Sequence, residues 1–229
     1  MIIDKNPSFT IFVNQIGKAF PESKFIWIIR DYRANILSRK QSVFLKSPDV
    51  AYNATRWKLY NKIAYNYSRK NPGKTILVKY EDLVSDPKEF ERILSFLSID
   101  PTKEPETIPP VNLNAFKVEE KYKERFLKKY SDLNKTLNTD RLNTWKEQLS
   151  AKEIEVADTI CYKVASPLLY HPLSKVSFLS SLKVMLANII PLGWGYFDIF
   201  KDRILFYFPI DFKLNRLKKK YISLGFIKK

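Results

Sequence analysis

The sequence predicts an α/β domain in which parallel strands carry helices on their faces and gather a ligand at their carboxyl ends. Three observations lead there. Phe25 to Ile29 form an unbroken apolar run, the pattern of a strand covered on both faces. Thr75 to Tyr80 form a second run of strand-like composition. Between them Ala54, Trp57, Tyr60, Ala64 and Tyr67 recur at spacings of three and four, which predicts an amphipathic helix from about Asp49 to Lys70. A strand, a helical crossover and a second strand make neighbouring parallel strands with a right-handed connection.

The remaining elements follow in chain order. Ser8 or Thr10 can cap a short helix that turns Ile11, Phe12, Ile16 and Phe20 toward the core, and Pro21 ends it. After the first strand, a helix begins at about Arg33. Asn71, Pro72 and Gly73 break the long helix ahead of the second strand. Asp86, Pro87 and Glu89 then offer an N-cap, a proline at the first helical position and the return arm of a capping box, with Phe90, Ile93, Leu94 and Leu97 facing inward. Residues 100–118 contain four prolines and read as a long loop, and the alternating Lys and Glu of residues 117–129 read as an exposed helix. Ser150 and Glu153 form a second capping box, opening a helix that holds Cys161 among apolar neighbours as a core thiol.

Composition narrows the function classes. The 229 residues are 45% hydrophobic and 14% aromatic, enough for one substantial core. One cysteine excludes an internal disulfide, and one histidine, His171, with that cysteine cannot assemble a zinc site. The net charge of +16 predicts an acidic partner, whether nucleotide, acidic glycan, nucleic acid or anionic membrane. No zinc-finger or RNP-like pattern points to nucleic acid. Residues 201–229 hold nine Lys or Arg against two Asp, beside aromatic and apolar clusters. Docking on an anionic membrane surface and an added helical layer with solvated lysines are both compatible with that tail. Val184 to Phe197 is too short for a transmembrane span, and no signal peptide is evident, so the chain is expected in the cytoplasm, with peripheral membrane contact through the tail.

Chemistry concentrates where the first strand ends. Arg30 and Asp31 close it, and the unpaired N–H groups of the next helix are expected to face the space that the Arg30 guanidinium reaches. A planar guanidinium can hold two phosphate oxygens at once, and the Ser38 hydroxyl can add a donor. The alternative is that Arg30 pairs with Asp31 or a nearby carboxylate at the strand end and Ser38 faces solvent. Parallel topology brings Tyr80 to the same edge as Arg30, in the crevice where open α/β sheets collect ligands. Glu81 and Asp82 read as structural carboxylates that secure the loop there.

KFIWIIRDYRANILSRKQS at residues 24–42 and NPGKTILVKYEDLVSDPKEFERILSFLSI at residues 71–99, in this order, resemble the sulfotransferase family. DKNPSF near the start and RLNTWKEQLSAKEIEVADTIC at residues 141–161 add to the likeness, which extends over roughly residues 2–172. In that family a strand ending in Arg-Asp, with a serine eight positions after the arginine, grips the 3′-phosphate of 3′-phosphoadenosine 5′-phosphosulfate (PAPS). A later Tyr-Glu-Asp-Leu places its tyrosine on the nucleotide. The resemblance implies that Arg30, Ser38 and Tyr80 bind the cofactor, with Arg141 a further phosphate contact in the region that closes over it. It also marks Lys5 as a candidate for the sulfuryl end; otherwise Lys5 pairs with Asp4.

The implied fold is a three-layer, P-loop-like sulfotransferase domain with a central parallel sheet flanked by helices. Residues 1–172 would form it, and residues 173–229 would add an apolar, basic, helical extension. Two departures stand out. Tyr32 occupies a position where the family usually has proline. The family's small-residue and basic loop around the 5′-phosphosulfate has no counterpart, and the five glycines form no glycine-rich pattern, so the domain is expected to be truncated at its N-terminus. The implied activity is sulfuryl transfer from PAPS, without a metal, to a hydroxyl or amine acceptor such as a carbohydrate. A non-catalytic remnant that binds 3′-phosphoadenosine or an acidic partner, and a basic membrane-surface module, are the rival readings.

Overall fold

Two parallel strands, β1 (Phe25–Ile29) and β2 (Thr75–Lys79), lie side by side, with Phe25 opposite Thr75 and Ile29 opposite Lys79. They come from a computed structural model that describes residues 2–42, 49–100, 124, 139, 141–209 and 212. The expected α/β character and parallel pairing are thus present in a helix-rich chain. The chain divides into two compact units, one of Met1–Asp100 with Thr139–Arg203 and the other of Pro101–Asn138 with Ile204–Lys229. The loop expected at residues 100–118 and the helix expected at 117–129 fall almost wholly outside the described residues, as does most of the basic tail.

The helices of the first unit are α1 (Val13–Ala19), α2 (Tyr32–Lys40), α3 (Val50–Lys70), α4 (Tyr80–Ser85), α5 (Pro87–Leu97), α6 (Trp145–Gln148), α7 (Ala151–Ala165), α8 (Phe178–Ala187) and α9 (Ile189–Phe206, whose last turn lies beyond that unit). The main core joins one face of β1 to α2, α3 and α7 through Ile29, Ile36, Ala54, Trp57, Ile160 and Cys161. Trp57 is buried, as its helical spacing predicts, and so is the Cys161 thiol. Val184 of α8 and Leu192 of α9 pack on the same cluster. At Gly195 of α9 a Cβ would stand 2.8 Å from the Thr55 Cβ, so this helix approaches α3 as closely as it does because the residue lacks a side chain.

Local signals are met unevenly. Asp49 caps α3 by accepting from the Tyr52 amide at 2.7 Å, and α3 ends at Lys70 before Asn71 and Pro72. Ser150 and Glu153 form the predicted capping box of α7. The Glu153 carboxylate also pairs with Lys40 across to α2. Burial alone would raise its pKa, but Lys40 and the Ser150 donors outweigh that and hold it below the ordinary carboxylate value.

Five expectations are corrected. The first helical segment is capped by Asn6, which accepts from the Ser8 amide at 3.0 Å, with Pro7 opening a 3-10 turn (Pro7–Phe12) ahead of α1. Ser8 and Thr10 therefore lie inside that turn. Phe20 lies past the end of α1 and is exposed, as is Phe90 on the outer side of α5. Asp86 caps α5 through the Lys88 amide, but Glu89 does not reach back. Its carboxylate takes the Arg92 guanidinium at 2.7 Å, a charge-assisted partner stronger than one amide. β2 stops at Lys79, and Tyr80 begins α4.

The last correction concerns β1, which is covered on one face only. Ile76 and Val78 of β2 are buried beneath Ile93 of α5, whereas their cross-strand partners Ile26 and Ile28 are 38% and 53% exposed. Helix α5 covers β2 but does not extend over β1.

Candidate functional site

The carboxyl ends of both strands deliver their side chains to one place. Arg30 follows β1 directly, and its guanidinium carbon lies 4.7 Å from the Tyr80 ring centroid, a cation–π contact. Its Nη2 donates to the Arg141 carbonyl at 2.6 Å. Its Nε is buried with no hydrogen-bond partner, and no carboxylate among the described residues pairs with the group. The Arg30 carbonyl is held in turn by the Trp57 indole N–H at 3.0 Å. Three of the residues singled out in the sequence, Arg30, Tyr80 and Arg141, therefore meet.

The other two do not join them. Ser38 is exposed near the end of α2, and Lys5 is exposed ahead of the 3-10 turn. The mouth of α2 also differs from expectation. Asp31 accepts from the Arg33 amide at 2.8 Å and clasps the Arg33 guanidinium through both carboxylate oxygens, at 3.0 and 2.8 Å. A carboxylate thus holds one of the first-turn donors that the sequence reading left free for phosphate. Burial alone would lower the Arg33 pKa, but the Asp31 contacts prevail and raise it, so this buried cation stays charged.

A second network secures the same edge. Glu81 accepts from the Asp31 amide at 2.9 Å and from the Tyr170 hydroxyl at 2.6 Å, which ties α4, the start of α2 and the segment after α7 together. The structural role expected of Glu81 is what its contacts describe. Burial and the Glu81 bond both push the Tyr170 phenol above its ordinary pKa, so it stays a donor. Asp158, fully buried on α7, accepts from the Tyr32 hydroxyl at 2.5 Å. It also accepts from the Leu173 and Ser174 amides at 2.7 and 2.8 Å and the Ser174 hydroxyl at 2.9 Å. Arg33 Nη1 stands 3.7 Å away. Tyr170 and Asp158 escaped sequence reading because their partners lie 89 residues and as many as 126 residues away in the chain.

A cleft of about 440 Å³ lies elsewhere, between the start of α3 and α9, lined by Asp49, Tyr52, Trp194, Phe197, Asp198 and Lys201 among others. It includes none of the sequence-predicted site residues. The chemistry around Arg30 is suited to an anion: a guanidinium with no carboxylate partner among the described residues, an aromatic face beside it and an unfilled N–H.

The description "Sulfotransferase family" belongs to the sequence family that matches residues 1–104. A curated protein of Caenorhabditis briggsae, named "Putative protein-tyrosine sulfotransferase", is 31% identical over 106 residues, which cover 43% of this chain and 37% of the relative. The match thus spans little more than a third of that relative's length. The family match contains β1, α2, α3 and β2, and the resemblance to sulfotransferases is borne out over residues 1–104.

Proposed function

We propose that this chain, whose residues 1–104 match the sulfotransferase family, serves sulfuryl transfer from PAPS, with Arg30 as the principal ligand of the donor's 3′-phosphate. The observation that carries the reading is the Arg30 guanidinium, stacked on Tyr80, steadied by the Arg141 carbonyl and paired with no carboxylate among the described residues, with one buried N–H unfilled. A buried, unsatisfied donor is costly, and a phosphate oxygen would satisfy it. Tyr80 would orient the guanidinium and border the nucleotide, Arg141 would help cover it, and Ser38 would add a hydroxyl from α2. Lys5 is the candidate cation for the sulfuryl end.

The reaction would be an in-line displacement at sulfur. The acceptor oxygen or nitrogen forms a bond to sulfur as the bond to the bridging phosphate oxygen breaks, the leaving group departs as 3′,5′-adenosine bisphosphate, and the acceptor proton passes to a base. Positioning and charge stabilisation would do most of the work. A carbohydrate hydroxyl is one acceptor class; the name of the nematode relative adds a tyrosine phenol.

Calorimetry with 3′,5′-adenosine bisphosphate and AMP tests the reading. The bisphosphate is expected to bind more tightly, because losing a charge-assisted contact to the extra phosphate costs about 1.5–3 kcal/mol. Arg30→Lys should remove most of that preference, since an ammonium lacks the two-pronged geometry, and Ser38→Ala should remove less. Equal affinities for the two nucleotides, or an Arg30→Lys variant that binds like the parent, would refute the assignment.

A further inference from the structure

Helices α8 and α9 are apolar on the side that packs and apolar again on the side that does not. Val184 on α8 and Gly195 and Ile199 on α9 are buried. Opposite them Phe178, Leu182 and Leu186 recur along α8 at spacings of four, between 45% and 81% exposed. Ile189, Gly193, Phe197 and Phe200 recur along α9 at spacings of three and four, and the three with side chains are 49–66% exposed. Trp194 and Ile190 widen this stripe. A helix that is apolar all round is normally buried all round, and exposed apolar patches of this extent mark interaction surfaces.

The charges are arranged accordingly. Asp198 lies on the packed side of α9 and is consumed there by the Tyr52 hydroxyl, Arg56 at 3.5 Å and Lys201 at 2.5 Å. The outward stripe of α9 from Ile189 to Phe200 therefore contains no charged side chain, whereas the sequence of residues 201–229 holds nine Lys or Arg against two Asp, with the excess from Lys213 onward. No single helix among the described residues is long and apolar enough to cross a membrane. The α8–α9 pair reaches that length and composition only jointly, with a bend of 78° between its helices. A bent pair with an apolar outer stripe, an exposed tryptophan on the stripe and a basic continuation fits a bilayer interface better than a span.

We propose that the exposed stripe of α8 and α9 is a monotopic membrane-docking surface that inserts into the acyl boundary of an anionic bilayer. The basic residues after Lys201 would engage the lipid headgroups. Shallow insertion of aromatic and aliphatic side chains supplies the apolar part of the affinity, and the cations supply a salt-sensitive part. The occupant is a lipid surface because an apolar stripe in a chain whose sequence continues, from Lys213, into seven Lys or Arg and no acidic residue complements an anionic leaflet. Docking there would bring a transferase to acceptors held at a membrane.

The full chain is tested with phosphatidylcholine vesicles, with and without phosphatidylserine. The chain has four tryptophans; Trp57 and Trp145 are buried and Trp27 is half-buried, so exposed Trp194 reports insertion. Cosedimentation should be stronger with phosphatidylserine and weaken with salt. Lipids brominated on the acyl chain should quench emission in the parent and not in Trp194→Phe. Leu186→Glu and Ile190→Glu, both at exposed positions, should each weaken binding about tenfold. No cosedimentation, or cosedimentation without Trp194 quenching, overturns the proposal. So does lipid-free self-association that Ile190→Glu abolishes, since the stripe would then be an interface between copies of the chain.

Discussion

Replacing Asp158 with alanine is expected to cost about 3–5 kcal/mol of folding stability, the range for removing one member of a buried charged network. The carboxylate is fully buried and receives the Tyr32 hydroxyl on one oxygen and three donors of residues 173 and 174 on the other. Alanine would leave those donors without their acceptor and take from Arg33 one of the two carboxylates beside it among the described residues. Asparagine should cost less. Its carbonyl can keep the Leu173 and Ser174 donors, and the Tyr32 hydroxyl can rotate to accept from its amide. Burial and the Asp158 bond hold the Tyr32 phenol well above its ordinary pKa, so the phenol remains a donor throughout the neutral range. Urea unfolding, read as a change in midpoint at constant slope, measures the cost. An alanine variant within about 1 kcal/mol of the parent would show that the network does not hold α2, α7 and the following segment together.

Trp57→Ala should be comparably damaging, at about 3–5 kcal/mol for a buried tryptophan. The indole fills the main core, meets Tyr32 edge to face at 5.5 Å and donates to the Arg30 carbonyl. Trp57→Phe separates those roles. Phenylalanine keeps most of the packing but withdraws the donor, so about 1–3 kcal/mol of stability should be lost. Bisphosphate affinity should fall as well, because the backbone of Arg30 loses its tether. A phenylalanine variant with reduced stability and unchanged nucleotide binding would sever the proposed link between this core residue and the guanidinium.

How much was legible in advance depended on the range of the interaction. The two strands, their parallel pairing and the meeting of Arg30 with Tyr80 follow from periodicity and chain order, which are local signals. The long helix from Asp49 and the Ser150 capping box are of the same kind. Asp31 at the mouth of α2 was also readable as a cap, since aspartate is a favoured capping residue, but its place beside Arg30 suggests a partner for that arginine, whereas it caps α2 and clasps Arg33. Tyr170 and Asp158 were not readable, because nothing in their neighbourhoods specifies partners brought together by tertiary packing. β1 illustrates a different limit. An unbroken apolar run is needed for a strand covered on both faces, yet it cannot say whether a covering layer reaches it, and here α5 shelters β2 while Ile26 and Ile28 stay exposed.

Cys161 has a use beyond packing. Its thiol is fully buried on α7, its sulfur lies 3.5 Å from the Ala54 carbonyl of α3, and burial pushes its pKa far up, so it is neither accessible nor ionised while these helices remain joined. It is also the chain's one cysteine. A thiol reagent can therefore label the protein only when α3 and α7 separate. The rate of labelling becomes a clock for that opening, built into the native sequence and readable without any engineered probe.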